Sequence, residues 1–150
     1  MNELIEALKT VQATNFALYL KAHNYHWNVE GSDFPMYHNF FGSFYEEVFD
    51  AVDTIAELIR TLDEFAPGSL VEFSKRSNIT DELGHPGIQQ MVGNLFAGNQ
   101  TLLTDLIAAY KLAEKFSEFG ISNALQDRIE AHKKHAWMLR SMLKIGRAHV

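Results

Sequence analysis

The run from Phe34 to Phe65 reads as one long helix closed by Pro67-Gly68, and it carries two stripes where burial in a bundle needs only one. At about 100° per residue, Phe41, Phe44, Val48, Val52, Ile55, Ile59 and Leu62 line up as a wholly apolar stripe, enough to seat the helix against its own chain. Beside it, His38, Gly42, Tyr45, Phe49, Asp53 and Glu57 fall within roughly 120° of one another. This second stripe is left over. It has a histidine at one end, two carboxylates at the other, and a glycine and aromatics between. A second histidine, His26, ends the preceding helix, just across the turn through Gly31 and Pro35.

Imidazoles and carboxylates are metal ligands, yet these cannot all meet within one chain. Fifteen residues separate His38 from Asp53, and at about 1.5 Å rise per residue they span roughly 22 Å. Nitrogen and oxygen ligands sit about 2 Å from their metal. Asp53 and Glu57, at i and i+4, face the same way and can share an ion. A two-fold axis pairing this helix antiparallel with its copy, crossing near Tyr45 and Glu46, sets His38 of one chain opposite Asp53 of the other. Each dimer then holds the mixed site twice, because a two-fold interface repeats every contact. His26 can join His38 from across the turn.

Several stretches share their residues with one known family: His26-Trp27-Asn28-Val29-x-Gly31, Phe34, His38 and Asp53-x-x-Ala56-Glu57, then Pro67-Gly68-Ser69-Leu70 with Phe73 and Ser74, and finally His135-Ala136-Trp137-Met138-Leu139-Arg140. Together they resemble the mini-ferritins, the Dps family of DNA-binding proteins from starved cells, over nearly the whole chain. The resemblance implies an all-α, ferritin-like four-helix bundle with a short extra helix in the crossover between the second and third long helices. It also implies a homo-oligomer, a hollow dodecamer with ferroxidase centres at its two-fold interfaces. His26 and His38 would come from one subunit, Asp53 and Glu57 from the other. Ferrous iron would be oxidised there by hydrogen peroxide, or more slowly by dioxygen, and stored as ferric oxide. Keeping iron from peroxide would protect DNA without touching it. Trp27, beside the site, would either intercept stray radicals or simply pack. Glu118, Asp127 and Glu130 lie where the family has acidic pores for iron entry; a solvated acidic face explains them equally well.

One position departs from the family pattern. Four residues after the second histidine the family usually has a carboxylate, and here stands Gly42. A mid-helix glycine costs about 1 kcal/mol against alanine, so it is expected to serve a close approach of helices. The second iron position should then be weaker or differently coordinated, with Glu46 a partial substitute, or oxidation chemistry lost altogether. Two nitrogen and two oxygen ligands suit iron, zinc or another transition metal better than magnesium or calcium. The choice of iron rests on the resemblance.

At 150 residues the chain makes one domain, 1–150, and with 47% hydrophobic residues it has an ordered core. The absence of cysteine removes disulfides and thiolate sites and fits a reducing cytoplasm. No stretch approaches eighteen consecutive apolar residues, so neither a membrane span nor a secretory leader is expected. The formal charge of −6 opposes a nucleoid-coating, DNA-binding role, since non-specific affinity comes from lysine and arginine on phosphates. Lys144, Arg147 and His149 form only a small basic cluster.

In order, the first helix runs from about Asn2 to Val29 and turns His26 inward. His23 is read as a surface or interface residue. Ser32 or Asp33 caps the second helix, which runs to Phe65. A short helix covers Ser69 to about Arg76. The third long helix spans about Pro86 to Phe119 and counts Ile107 among its inward residues. The fourth starts near Ile121 and reaches about Ile145, with His132 and Leu143 inward and His132 a packing residue. Glu82 and His85, spaced as in ferritins proper, fall in a loop beside Gly84 and Pro86 and are not expected to bind metal.

Overall fold

The computed structural model describes residues 1–144. Among these the chain forms α1 (Asn2–Asn28), α2 (Phe34–Thr61), α3 (Leu70–Arg76), α4 (Ile88–Lys115) and α5 (Phe119–Leu143). The four long helices are a bundle, and α3 is the short helix expected in the crossover. Periodicity sets the buried faces. Leu4, Leu8, Val11, Leu18, Ala22, Tyr25 and Val29 are all buried, and so are Phe41, Phe44, Val48, Ile55 and Ile59. One contiguous core joins these to Met91, Val92, Leu95, Leu102 and Leu106 of α4 and to Leu125 and Leu139 of α5.

Short turns make α1–α2 and α4–α5 antiparallel neighbours. In the first turn Gly31 has φ +120°, a conformation strained for any L side chain. Asp33 is the N-cap of α2, without a capping bond from its side chain. The crossover then travels the full length of α1. It leaves α2 beside Lys9 and Gln12, where Lys9 pairs with Glu64 and Gln12 Nε2 donates to the Pro67 carbonyl at 3.0 Å. It arrives beside the other end of α1, where Tyr25 donates to Glu82 at 2.6 Å. That makes α4 parallel to α2. Midway, Asn78 donates to Asp105 of α4, and Thr14 of α1 donates to the same carboxylate at 2.8 Å. Glu82 is thus bonded to Tyr25 rather than paired with His85.

Helix ends differ from the pattern at three places. α2 stops at Thr61 instead of Phe65, because Asp63 turns into the left-handed region (φ 60°) with its N–H on the Arg60 carbonyl. Phe65 prolongs the apolar period in sequence but is 81% exposed, with the Arg60 guanidinium 5.0 Å from its ring centroid. α4 starts at Ile88, past Pro86, and stops at Lys115 rather than Phe119; α5 then begins at Phe119 rather than Ile121. Gly120 offers the obvious break, yet the chain breaks at Ser117 (φ 58°). Glu118 N–H bonds to the Ala113 carbonyl and Ser117 N–H to Glu114, the paired bonds that close a helix with a left-handed residue. Ile107 and Leu143, counted as inward, are each 37% exposed, one step past the buried arc of their helices. The expected helix end at Ile145, and Arg147 and His149 of the basic cluster, lie outside the described residues.

Candidate metal centre

The turn at Gly31 sets the last turn of α1 beside the first turns of α2, so His26 and His38 meet. Their rings stack with centroids 3.8 Å apart and planes 19° from parallel. Each ring bonds to the other residue's backbone: His26 Nδ1 donates to the His38 carbonyl and His38 Nδ1 to the His26 carbonyl, both at 2.7 Å. A carbonyl only accepts, so both protons of the neutral rings sit on Nδ1. Both Nε2 atoms are left with lone pairs on a fixed tautomer, as imidazoles that ligate metal require. Phe34 stacks on the outer side of His38, with centroids 4.9 Å apart.

Gly42 explains how His26 reaches that carbonyl. A Cβ at position 42 would lie 3.1 Å from both Cε1 and Nδ1 of His26. The close approach that glycine serves is that of the His26 side chain onto α2, within one chain. The mutual histidine bonds and a side chain at 42 compete for the same space.

The carboxylates remain apart from this pair. Asp53 and Glu57 are exposed further along α2, and among the described residues neither has a hydrogen-bond or ion-pair partner. Phe49, between them and the histidines, is 49% exposed, and Glu46 is exposed as well. The second stripe of α2 is therefore uncovered. Among the described residues no three histidine, aspartate or glutamate side chains converge to hold a metal. One chain supplies a nitrogen half and an oxygen half at different places. Of the pore candidates, Glu118 is the half-buried N-cap of α5, and Asp127 and Glu130 stand exposed on the same helix.

An aromatic cluster adjoins the histidine pair. His23 is held between Tyr45, its ring centroid 3.9 Å away and planes 10° apart, and Trp27, at 3.8 Å. It is thus packed in the chain's own surface, with Trp27 on the solvent side at 58% exposure. The Tyr19 hydroxyl lies 3.0 Å from His23 Nδ1. Burial, and after it the nearby His26, lowers the His23 pKa, while burial and Tyr45 raise that of Tyr19. A neutral His23 accepts from a neutral phenol.

Sequence reasoning missed a polar network inside the bundle. Arg128 of α5 grips Glu47 of α2 with both terminal nitrogens and also contacts His132 Nε2 at 3.0 Å. His132 Nδ1 donates to Asn99 Oδ1 at 2.7 Å, and the Asn99 amide returns a bond to the His132 carbonyl. His135 Nε2 meets Glu47 at 2.7 Å. Burial acts to raise the Glu47 pKa, but the His135 and Arg128 bonds outweigh it and hold the carboxyl well below its usual range. Burial, then Arg128 and His135, push fully buried His132 well below the ordinary imidazole value. His132 is more than a packing residue. The signal was the spacing of Arg128, His132 and His135 on one side of α5.

With this geometry established, comparison with known proteins is decisive. Residues 5–148 match the family model of the ferritin-like domain. The chain is 30% identical to the DNA protection during starvation protein of Brevibacillus brevis, over 96% of this chain and 97% of that one. The chain belongs to the Dps family of ferritin-like proteins. Two solved structures share the Dps-type fold seen here. The Dps protein of Vibrio cholerae O1, described as a member of a broad superfamily of ferritin-like diiron-carboxylate proteins, matches with a TM-score of 0.92 at 27% identity, covering 95% of this chain and 90% of that one. Antigen TpF1 of Treponema pallidum matches with a TM-score of 0.91 at 30% identity, covering 94% and 91%. At the level of the Dps family, the protein is an iron-handling ferritin-like protein. No described helix is long and apolar enough to cross a membrane.

Proposed function

We propose that this Dps-family protein is a ferroxidase and iron store whose oxidation sites are completed between two subunits. The observation that carries the proposal is the reciprocal His26–His38 bonding, which leaves two Nε2 lone pairs side by side at one end of an uncovered stripe of α2. Asp53 and Glu57 stand without partners among the described residues at the other end. An antiparallel two-fold pairing of α2 covers the stripe and brings nitrogen and oxygen halves together twice per dimer. Further copies close such dimers into a hollow shell, in the family manner a dodecamer.

Ferrous iron is the substrate. His26 and His38 bind it as neutral donors, and the two carboxylates offset its charge, which rises by one unit per ion on oxidation. Two ferrous ions together supply the electron pair that reduces hydrogen peroxide to water, so no hydroxyl radical is released. Dioxygen is the slower oxidant, and the ferric product hydrolyses and collects as oxide inside the shell. Glu57 is placed to reach two ions. With Gly42 where a carboxylate would stand, the second ion is held more weakly, Glu46 being the nearest exposed substitute. Zinc, which takes the same donors, should compete for the site.

Stopped-flow absorbance with ferrous iron and peroxide tests the assignment. The parent should oxidise iron at least tenfold faster than His38→Ala and Glu57→Ala, and zinc should inhibit it. Equal rates in all three proteins would remove these residues from the site.

A further inference from the structure

The cluster around His23 contains a second kind of chemistry. Tyr19, Tyr45, Trp27 and His23 form a continuous aromatic path from the His26–His38 pair. Tyr45 stands edge-on to His26 with centroids 5.2 Å apart, His23 stacks on Tyr45, and Tyr19 bonds to His23. Tyr19 is also in van der Waals range of Phe49, with centroids 4.7 Å apart. Among the described residues, Tyr19 is the one oxidisable side chain of this path whose proton already points at a base. Neither the Tyr45 hydroxyl nor the Trp27 indole N–H has a hydrogen-bond partner among them.

That difference matters because a phenol becomes a strong acid when it loses an electron. Oxidation without a proton acceptor is therefore costly. With an imidazole nitrogen at 3.0 Å, electron and proton leave together.

We propose that Tyr19 and His23 form a proton-coupled electron donor that quenches one-electron oxidants arising at the neighbouring metal centre. The proposal rests on the ferroxidase reading for the source of the oxidant. A single ferrous ion meeting peroxide cleaves the O–O bond to give hydroxide and a hydroxyl radical. One electron from Tyr19, passed through His23 and Tyr45, reduces that radical to hydroxide. The phenolic proton moves to His23 Nδ1, leaving a neutral phenoxyl radical beside an imidazolium. A ferrous ion supplies the electron that restores Tyr19, and the proton returns from His23. Trp27 and Tyr45 carry the charge only in passing.

The assembled protein is tested in two arms, both read by freeze-quench electron paramagnetic resonance. In the first, photo-oxidised ruthenium tris-bipyridine supplies the oxidant without iron. The parent should give a phenoxyl signal whose formation slows at least twofold in heavy water. Tyr19→Phe, which keeps the ring against Phe49, should lower the yield at least fivefold, while Tyr45→Phe should not. His23→Phe, which keeps the stack and removes the base, should lower the yield and abolish the isotope effect. Equal signals in the parent and Tyr19→Phe, or loss in Tyr45→Phe instead, would overturn the proposal. If a variant fails to assemble, absence of a heavy-water effect in the parent overturns it equally. In the second arm, iron and peroxide replace the photo-oxidant, and Trp27 oxidation in Tyr19→Phe, read by mass spectrometry, should rise severalfold. A signal in the first arm with none in the second upholds the donor and counts against the ferroxidase reading.

Discussion

At the scale of single residues, Gly42 governs the candidate centre through a ring on another helix. Alanine there should favour α2 by about 1 kcal/mol on propensity alone. Its Cβ would sit 3.1 Å from the His26 ring and push Nδ1 off the His38 carbonyl. Gly42→Ala is therefore expected to oxidise iron severalfold more slowly while gaining less than that propensity in urea denaturation. An unchanged rate would mean that the mutual histidine bonds do not position the site. His132 offers a separate test through pH. Its folded pKa lies well below 6.5, so below that pH the unfolded chain binds a proton that the folded chain refuses. Stability should thus be intact above pH 6.5 and fall as pH drops below it, by at most about 1.4 kcal/mol per pH unit for one proton. Glu47 adds loss only further down, below its ordinary value of 4.5, as its depressed carboxyl is protonated. Urea midpoints at fixed protein concentration should fall between pH 7 and 5 in the parent, and more gently in His132→Gln.

Among the helices, burial was legible where a period ran uninterrupted. The face of α1 from Leu4 to Val29 and the apolar stripe of α2 are buried much as their spacing predicts, with Val52 and Leu62 half-buried at its margin. The surplus stripe was legible for the same reason, and its members from Phe49 to Glu57 are exposed. Helix ends were less so, because Asp63 and Ser117 take left-handed conformations that sequence assigns to glycine. The histidine pairing was foreseen as an approach, but not the bonds that make it. Those depend on two backbone carbonyls, which leave no mark in side-chain sequence. The Glu47–Arg128–His132 network was hidden because its partners come from three helices. At the α4–α5 turn a left-handed non-glycine residue costs about 1–2 kcal/mol. Ser117→Gly should accordingly raise the urea midpoint by roughly 1 kcal/mol of stability, with iron oxidation unaltered. A drop in stability would show that the serine side chain contributes more than its backbone costs.

For the whole molecule, charge and assembly decide what the surface can do. Every added subunit contributes a formal −6, so a shell of them attracts ferrous ions and repels phosphate backbones. The assembled protein should leave duplex DNA unretarded in gels at low and moderate salt, and retardation would return a nucleic-acid role to consideration. The central claim is that each oxidation site takes nitrogen from one chain and oxygen from another. Subunits carrying His38→Ala and subunits carrying Glu57→Ala are each incomplete, yet a dimer of the two rebuilds one whole site. Dissociating both variants, mixing them equally and reassembling should restore about a quarter of the parental initial rate of iron oxidation, since half the dimers are mixed and each has one intact site of two. Activity no higher in the mixture than in the separate variants would place all the ligands within a single chain and contradict the account.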